Sequence, residues 1–440
     1  MTLDPSAVAW IERVVGGRVV RAERQPRWRP AWFLDVEVDG RIVPLYWRGA
    51  RGALDHGISD LAYEHTVLQV LEDHGIPVPH VYGRCPDPEG LLLERVAGHT
   101  ELVDAASDAE RQSLLDQYVD ILTRIHAIPV ERFEERGLRS PAGEVEVGLG
   151  DFDKWEHIYR SKKRAPAPME EFGIGWIRRN VPTGRSKVCF CVIDCAQFLF
   201  EHGRINAIFD LEFSYLADPA AELAGLRVRG AAHSLGDLRG AIAHYCAATG
   251  QTIDPRVIDY HTVRFGWVNP LSLLPLCEDP PVEIDYVQYK AWYVLCSRWS
   301  LDVLGRLVGA RLDPVELPPS TPSIRAPAHR LMVRGLDPTS DSGSAYERSR
   351  LQRVAVYLER ADRYGPALDA ASLDELAAVL GRRPLSRRDA DAELERLVLD
   401  APPGRDAELV RLFHRQLQRE EFLLEPVLGY LRGSTLPPID

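Results

Sequence analysis

The sequence lacks the features that mark membrane, secreted and general nucleic-acid-binding proteins. Its 440 residues contain no uninterrupted run of 18 apolar residues, so no transmembrane helix is predicted. The N-terminal segment has no basic stretch followed by an apolar one, and a secretory signal is not predicted. A net charge of −12 argues against the basic surface that nucleic acids and anionic membranes reward. We therefore expect a cytoplasmic protein without nucleic-acid or membrane partners.

Cysteine is also sparse, and its spacing does not match a common metal motif. Seven cysteines, an odd number, are typical of reduced thiols rather than of a disulfide framework. Cys189, Cys191 and Cys195 follow a C-x-C-x3-C pattern without a C-x2-C pair, and only His202 lies nearby. Zinc sites usually offer two well-spaced ligand pairs. The pattern therefore favours these cysteines as small buried residues of an apolar strand.

The remaining composition is that of a globular protein, and the length predicts two or three domains. Residues 18–49 alternate in polarity over three predicted strands, with Asp39-Gly40 as a hairpin turn. A helix with apolar residues at helical spacing follows and ends before Gly75. Two further strands precede a second helix, near residues 109–128. The first part of the chain thus predicts a small antiparallel sheet.

Acidic residues stand at the ends of strands in the middle of the chain. Asp194 follows one apolar run, and Asp210 closes a predicted hairpin that turns at His202-Gly203, with Glu212 two residues later. Carboxylates at neighbouring strand ends can converge on one divalent cation, and oxygen ligands suit Mg²⁺. The alternative is that such residues cap a turn or a helix.

Several segments, in their order and spacing, carry a family resemblance. They are "LYWRG", "DLAYEHTVLQVLEDHGIPVPHVYG", "LLLERVAG", "LLDQYVDILTRIHAI", "QFLFEHGRINAIFDLEFSYLADPAAELAGLR" and "YCAATG". Over roughly residues 10–310 the sequence resembles the aminoglycoside phosphotransferase and choline kinase-like family. The resemblance implies an α+β, two-lobed protein-kinase-like fold with a small antiparallel β lobe and a mostly helical lobe. It also implies phosphorylation of small-molecule hydroxyls with ATP and Mg²⁺.

The resemblance implies a nucleotide site on the predicted sheet. Arg48 matches the basic residue that touches the phosphates, and Glu64 matches the glutamate that fixes its direction. An arginine offers a planar fork where the family often has lysine, so its reach differs. Main-chain groups around Glu94 and Val96 are expected to bind the adenine edge.

The resemblance also implies the residues that hold Mg²⁺ and act on the substrate, although the catalytic loop departs from the family pattern. Asp210, in "AIFDLEF", matches a Mg²⁺ ligand. If the loop is two residues short, Asp194 matches the aspartate that orients or deprotonates the hydroxyl, and Gln197 replaces the asparagine that binds Mg²⁺. Without a gap the aspartate position falls on Val192 and no base remains. Asp218 matches a residue that supports the loop.

The glycine-rich phosphate loop of kinases is missing as well. Residues 24–32 contain no glycine, but they hold Arg24, Arg27 and Arg29 together with Trp28 and Trp32. The arginines could hold phosphate or an acidic substrate through charge-assisted hydrogen bonds. The alternative is a solvated basic turn with buried tryptophans.

These observations support two hypotheses for function. The first is an ATP-dependent phosphotransferase acting on a hydroxyl or amino group of a small metabolite. The second is a phosphotransfer-deficient kinase-like protein that binds a nucleotide or metabolite, acts as a scaffold, or has acquired a different activity. The carboxylates and Arg48 favour the first, whereas the altered loop and missing glycines favour the second.

The expected partner is a small-molecule substrate. An anionic substrate is one expectation, because residues 151–179 contain a basic run made up of Arg160, Lys162, Lys163, Arg164, Arg178 and Arg179. Asp151, Asp153 and Glu156 lie in the same region, so neither sign of charge dominates. The alternative is that the basic residues form a solvated helix face.

The chain is predicted to divide into four parts. Residues 1–97 form the β-rich nucleotide-binding lobe, 98–312 the helical lobe with the catalytic hairpin, 313–344 a Pro-rich linker and 345–440 a C-terminal helical extension. In the extension, Ser372 and Glu375 predict a capping box at a helix start, with Gly381 beyond the helix end. The apolar stripe is Leu409, Leu412, Phe413, Leu417 and Leu424. These helices could pack as part of the fold, cover the active site or form a homodimer.

Overall fold

The computed structural model describes residues 3–27, 29–52, 55, 57–320, 323, 325–337 and 344–439. Trp28 of the arginine-rich segment lies outside the described residues, as do residues 321, 322, 324 and 338–343 of the predicted linker. The chain divides into two compact units, the first made up of Met1–Gly150, Pro182–His261 and Leu436–Asp440, the second of Asp151–Val181 and Thr262–Thr435. The division into lobes, linker and extension stays a prediction.

The described residues form strands and helices in a mixed order. The strands are β1 (Arg18–Arg24), β2 (Ala31–Val38), β3 (Arg41–Gly49), β4 (Val81–Pro86), β5 (Glu89–Glu94), β6 (Cys189–Cys191), β7 (Phe198–Glu201), β8 (Arg204–Ile208) and β9 (Tyr215–Ala217). The helices are α1 (Pro5–Val15), α2 (Leu61–Asp73), α3 (Asp108–His126), α4 (Val130–Glu134), α5 (Glu144–Leu149), α6 (Phe152–Lys162), α7 (Pro168–Arg179), α8 (Pro219–Ala232), α9 (Leu238–Thr249), α10 (Pro255–Glu278), α11 (Tyr286–Leu307), α12 (Ala326–Gly335), α13 (Ala345–Leu380), α14 (Arg387–Asp400) and α15 (Asp406–Leu424). Among these helices, none is both long and apolar enough to cross a membrane.

The first unit is built on a five-stranded antiparallel sheet with the strand order β1-β2-β3-β5-β4. The predicted hairpin at Asp39-Gly40 is confirmed: both residues have positive φ angles, 48° and 74°, and Val38 pairs with Arg41 across the turn. Two-residue turns with positive φ match the right-handed twist of the strands they join. The sheet and the helices together confirm the predicted α+β class.

Helix α2 follows the sheet's third strand and begins where the sequence predicts. The Asp60 side chain accepts a hydrogen bond from the Tyr63 backbone N–H at 2.8 Å and caps the helix. The apolar residues that predicted the helix are buried, and Glu64 is buried on the same helix with 2% of its surface exposed. Burial of a carboxylate in an apolar helix face requires a cationic partner, and that partner lies on β3.

Helix α3 organises the rest of the first unit. It packs against α9 and against β6 and β8, and its buried face joins a core that extends to α2, β5, β7 and α8. Strands β7 and β8 form the predicted hairpin, with positive φ angles at His202 and Gly203, and β6 pairs with β9. The short strands are therefore fixed by helices rather than by a large sheet.

The second unit is helical. Helix α11 packs on α15, and α7 packs on α14. The predicted stripe of α15 is buried. The predicted capping box is wrong, because Ser372 lies inside α13, which continues from Ala345 to Leu380. Its hydroxyl oxygen accepts a hydrogen bond from Arg419 at 3.3 Å, a tertiary contact instead of a cap.

Candidate functional site

A cavity of about 880 Å³ opens in the first unit, between the sheet and the β7–β8 hairpin. Six of the seven predicted site residues line it: Arg48, Glu64, Glu94, Val96, Gln197 and Asp210. These residues are spread over more than 160 positions of the sequence, from β3 to the segment just after β8. Asp194, the seventh, is not among the described residues that line the cavity, although its neighbours Ala196 and Gln197 are.

The sheet supplies an aromatic wall to this cavity. Phe33 on β2 and Tyr46 on β3 pair across the strands, with ring centroids 5.8 Å apart, and both line the cavity. The Arg95 guanidinium lies 5.5 Å from the Phe33 ring centroid. Glu94 ends β5 opposite Leu45, so the main chain that follows it runs along the same cavity. The wall combines aromatic ring faces with main-chain polar groups, a combination common in small-molecule sites.

Arg48 is the central residue of the site. Its Nε lies 3.0 Å from Glu64 Oε2, which is the pair implied by the resemblance, and its Nη2 contacts both Asp210 Oδ1 and Glu212 Oε2, the latter at 2.8 Å. Arg48 is 4% exposed. A guanidinium presents its donors in a rigid fork, so one side chain can bind three carboxylates from α2 and the segment after β8.

Two further arginines contact Glu212 and so belong to the same group of charges as Arg48. Arg29 Nη1 lies 2.8 Å from Glu212 Oε2, and Arg51 Nη2 contacts Glu212 Oε1. The Arg29 Nε also donates to the Gly49 carbonyl at 3.0 Å. We call the six residues Arg29, Arg48, Arg51, Glu64, Asp210 and Glu212 the arginine cluster. Its three cations balance its three carboxylates, which is how buried charge is tolerated.

Sequence reasoning identified only part of this cluster. Arg29 was one of several arginines in a predicted turn, and Arg51 was not singled out. Glu212 was noted only for its position two residues after Asp210, and this acidic spacing was the one available signal. Arg27, by contrast, lines the cavity and its Nη1 lies 3.5 Å from the Tyr46 hydroxyl oxygen.

The arginine cluster shifts the pKa values of its members in different directions. Burial would raise the pKa of Asp210, but the charge and hydrogen bond of Arg48 outweigh it and hold that pKa well below its ordinary value. The pKa of Glu64 is raised, because burial there outweighs the charge of Arg48. The pKa of Arg48 is also raised, since its carboxylates overcome the opposing effect of burial. Asp210 therefore stays ionised, while Glu64 is the easier of the two to neutralise.

The β7–β8 hairpin places Gln197 beside Asp210. Phe198 pairs with Ile208, and the Phe209 N–H donates to the Gln197 carbonyl at 3.0 Å. Asp210 itself has a positive φ of 63°, an uncommon conformation for a residue other than glycine. Carboxylate and amide oxygens are the donors that Mg²⁺ prefers, so these two side chains have the chemistry to hold it.

Asp194 lies in the loop of residues 192–197 between β6 and β7. Its Oδ2 accepts a hydrogen bond from Gln197 Nε2 at 2.7 Å, and its Oδ1 binds the Arg229 guanidinium. Burial raises the pKa of Asp194 to about 6, against the opposing charge of Arg229. Ile193 and Ala196 have positive φ angles of 66° and 55°. For a β-branched residue such as Ile193 this conformation is an outlier that the surrounding structure must enforce.

Residues of helix α8 hold the loop in this conformation. Glu222 is fully buried and accepts hydrogen bonds from the backbone N–H groups of Val192 and Ile193, at 2.5 and 3.2 Å, and from the Cys195 thiol at 2.7 Å. A Cβ atom added to Gly225 would lie 2.0 Å from the Ile193 carbonyl oxygen, so only glycine lets the loop approach this helix. We call Glu222 and Gly225 the loop support.

Asp218 holds the start of α8. Its side chain accepts from the Ala220 backbone N–H at 2.9 Å and from Arg185, with Nε at 2.8 Å and Nη2 at 2.6 Å. Burial would raise the pKa of Asp218, but its contacts with Arg185 and His261 lower it instead. The contacts of Asp218 fit the supporting role that the resemblance implies.

The basic run of residues 160–179 belongs to the second unit, and at least five of its six members lie in ion pairs. Lys163 Nζ is 2.7 Å from Glu171 and 2.6 Å from Glu395. Arg160, Arg164, Arg178 and Arg179 pair with Glu156, Glu171, Asp279, Asp153 and Asp406 of the same unit. These carboxylates reduce the positive field that an anionic ligand would meet, and the anionic substrate stays a prediction.

Comparisons with known proteins give a family match over part of the chain and a similar fold. Residues 50–261 match the family model described as "Phosphotransferase enzyme family". No curated protein matches the sequence. Among solved structures, a candidate aminoglycoside phosphotransferase from Ralstonia eutropha aligns at 16% identity over 69% of this chain and 96% of its own, with a TM-score of 0.50.

Two other solved structures are similar at lower TM-scores. A macrolide 2′-phosphotransferase from Brachybacterium faecium aligns at 18% identity over 63% of this chain and 95% of its own, with a TM-score of 0.44. An ethanolamine kinase from Plasmodium vivax aligns at 14% identity over 62% of this chain and 82% of its own, with a TM-score of 0.43. The family model matches residues 50–261, just under half of the chain, and the Ralstonia eutropha structure shows that the chain has the same protein-kinase-like fold.

Proposed function

We propose that the protein is an ATP-dependent phosphotransferase that acts on a hydroxyl or amino group of a small metabolite. One observation carries the proposal: the Arg48–Glu64 pair, Asp210, Gln197 and the Glu94–Val96 segment all line the same cavity. A nucleotide site needs main-chain groups for the base, a cationic side chain for the phosphates and oxygen donors for the metal ion, all within reach of one ligand. The family match supports the same reaction class.

Arg48 of the arginine cluster, together with Arg27, would bind the phosphates in place of a glycine-rich loop. Arg48 is held by Glu64 with its guanidinium fork facing Asp210, and Arg27 lines the same cavity. Guanidinium groups bind phosphate oxygens through paired, charge-assisted hydrogen bonds. Such contacts do not need the close backbone approach that glycine permits. The aromatic wall of Phe33 and Tyr46 would lie against the adenine, with the main chain around Glu94 and Val96 at its edge.

Asp210 and Gln197 would hold Mg²⁺, which when bound neutralises charge on the phosphates. Both residues line the cavity, and both side chains carry oxygen atoms that can bind a metal ion. Arg48 contacts one oxygen of Asp210, so that oxygen is shared with a guanidinium. The low pKa of Asp210 keeps it ionised and available throughout the physiological range.

Asp194 would accept the proton of the substrate hydroxyl. A general base works best when its pKa lies near the operating pH, and burial raises the pKa of Asp194 to about 6. Gln197 and Arg229 hold the carboxylate from two sides. This proposal assumes that the loop is two residues shorter than the family pattern, which is what gives Asp194 its role.

The test is nucleotide binding followed by turnover in matched variants. We expect ATP with Mg²⁺ to raise the melting temperature of the protein, and Asp210→Asn to remove the Mg²⁺ dependence of that shift. Asp194→Asn should keep the shift and lower phosphoryl transfer by roughly 100-fold or more, the usual contribution of a general base. Asp120→Asn, an exposed aspartate on α3, is the control. A folded protein that no nucleotide stabilises would contradict the proposal.

The second candidate is a nucleotide-binding protein without phosphoryl transfer. The contact of Arg48 with Asp210 favours it, since a guanidinium already occupies a carboxylate oxygen that Mg²⁺ would use. In that case ATP should stabilise the protein equally with and without Mg²⁺, and Asp210→Asn should not change the shift. Turnover of any hydroxyl acceptor, lost in Asp194→Asn, would exclude this candidate.

A further inference from the structure

A group of side chains that could bind a metal ion lies next to the loop and outside the cavity. His126, Cys189 and Cys191 each place one ligand atom so that all three atoms lie within 4.8 Å of one another. The two cysteine sulfurs are 3.6 Å apart. Cys189 is 1% exposed and Cys191 is fully buried, and the His126 side chain is 2% exposed. We call these three residues the Cys–His cluster.

Strand and helix geometry explain why the three side chains meet. Cys189 and Cys191 are two residues apart on β6, so their side chains point to the same side of the strand. His126 is the last residue of α3, and α3 packs on β6. The histidine comes from a distant part of the sequence, which is why the local spacing pointed only to His202.

The two cysteines are poorly placed to form a disulfide with each other. Residues two apart on an extended strand have Cα atoms about 6.6 Å apart, near the upper limit for a disulfide. The observed sulfur separation of 3.6 Å is instead close to the edge of a tetrahedral thiolate site, which is about 3.8 Å for zinc–sulfur bonds of about 2.3 Å. The geometry suits two thiolates that share one ion.

We propose that Cys189, Cys191 and His126 bind a thiophilic metal ion, with Zn²⁺ as the expected occupant. Two thiolates and an imidazole are the donors that such an ion selects. Two thiolate charges would also be balanced by the divalent ion, which a buried site requires. Cys191 Sγ now lies 3.5 Å from the Asp218 carbonyl oxygen, a contact that a thiolate ligand would give up.

The surroundings of His126 resemble the outer contacts of a metal-bound histidine. Its Nδ1 lies 2.7 Å from the Tyr245 hydroxyl, and its Nε2 lies 3.3 Å from Glu222 Oε2. A ligating histidine uses one ring nitrogen for the metal and the other for such a partner, which fixes the ring. One of these two contacts would therefore give way to the metal, and the other would remain.

The ion would have a structural effect on the loop. Cys191 is followed directly by residues 192–197, and Glu222 of the loop support already contacts His126. A metal bound by β6 and α3 would fix the point from which the loop starts. This inference stands independently of the proposed phosphotransfer, because its ligands lie outside the cavity.

Metal analysis of the intact protein, purified without an affinity tag from cells supplied with zinc, tests the proposal. We expect one zinc ion per chain, released when the thiols are titrated with a mercurial reagent. Cys189→Ser and Cys191→Ser should each lose the ion. Cys85→Ser, which changes an equally buried strand cysteine of the same unit, should keep it.

A second measurement does not depend on whether the variants fold. Wild-type protein reconstituted with Co²⁺ should show thiolate-to-cobalt charge-transfer absorption and the visible bands of a tetrahedral site. Absence of a bound thiophilic metal in folded wild-type protein, or zinc retained in both Cys189→Ser and Cys191→Ser, overturns the proposal. Zinc lost equally from Cys85→Ser would also overturn it, because the loss would then not depend on the Cys–His cluster.

Discussion

The arginine cluster and the loop support are both buried in the first unit, but they differ in redundancy. In the arginine cluster, Arg48 has three carboxylate partners and Glu212 contacts three arginines. In the loop support, Glu222 alone satisfies two backbone N–H groups, and Gly225 alone permits the close approach of Ile193. The cluster faces a cavity where a ligand would exchange contacts, whereas the loop support holds one strained backbone conformation.

This difference suggests that the two regions respond differently to single substitutions. A redundant network loses one contact and keeps the others, while a single support leaves buried groups without partners.

The largest effect is expected for Gly225→Ala. The added Cβ would lie 2.0 Å from the Ile193 carbonyl oxygen. Because that oxygen belongs to the backbone, it cannot move away as the end of a flexible side chain could. We expect a loss of about 3 kcal/mol or more in the free energy of unfolding, measured by urea denaturation. Gly365→Ala, where the added Cβ meets nothing within 4 Å, should change stability by less than about 1 kcal/mol. Equal effects of the two substitutions would contradict the role of Gly225.

Glu222→Gln should have the next largest effect. Each carboxylate oxygen accepts a backbone N–H, from Val192 or Ile193, whereas a glutamine has only one acceptor oxygen. One buried N–H would then face an amide nitrogen, at a cost of about 2–3 kcal/mol. The exposed Glu134→Gln is the control in the same denaturation series.

The pH dependence of turnover distinguishes Asp194, in the loop that the loop support holds, from Asp210 of the arginine cluster. Asp194 acts as a base only when ionised, and its pKa is raised to about 6 by burial. The rate should therefore be level above pH 7 and fall about tenfold between pH 7 and pH 5. The low pKa of Asp210 predicts no contribution from that carboxylate in this range. A profile that stays flat down to pH 5 would argue against Asp194 as the base.

The smallest effect on stability is expected for Glu64→Gln. Burial already raises the pKa of Glu64, so a neutral side chain is tolerated there. The substitution removes only the charge of the Glu64 contact with Arg48 Nε, and Arg48 keeps Asp210 and Glu212 as partners. We expect a loss of about 1 kcal/mol. A loss equal to that of Glu222→Gln would show that the arginine cluster is not redundant.

Much of the fold could be predicted from local patterns. Alternating polarity and Asp39-Gly40 predicted the β2–β3 hairpin, and the apolar spacing after Asp60 predicted α2. These signals are local, because strand and helix periodicity and turn conformation depend on neighbouring residues. The error at Ser372 has the same origin: a cap-like pattern was overridden by packing inside α13, where Arg419 binds the hydroxyl.

The candidate site was predictable only in part. The resemblance brought together Arg48, Glu64 and Asp210, and the structure places them in contact through Arg48. It did not indicate that Arg29 and Arg51 converge on Glu212, since those pairs join segments about 160 to 180 residues apart. The roles assigned to Glu94, Val96, Gln197 and Asp194 stay predictions until binding and turnover are measured.

The two hairpins and the start of α2 follow from the sequence alone, because they depend on side-chain periodicity and turn residues that lie close together in the chain. The α+β class was implied by the family resemblance that the sequence carries. Tertiary structure alone decided which charges share a partner, how Gly225 and Glu222 hold the loop of Asp194, and that His126 lies against Cys189 and Cys191. Such contacts depend on the packing of α3 and α8 against distant strands, and no local spacing in the sequence records that packing.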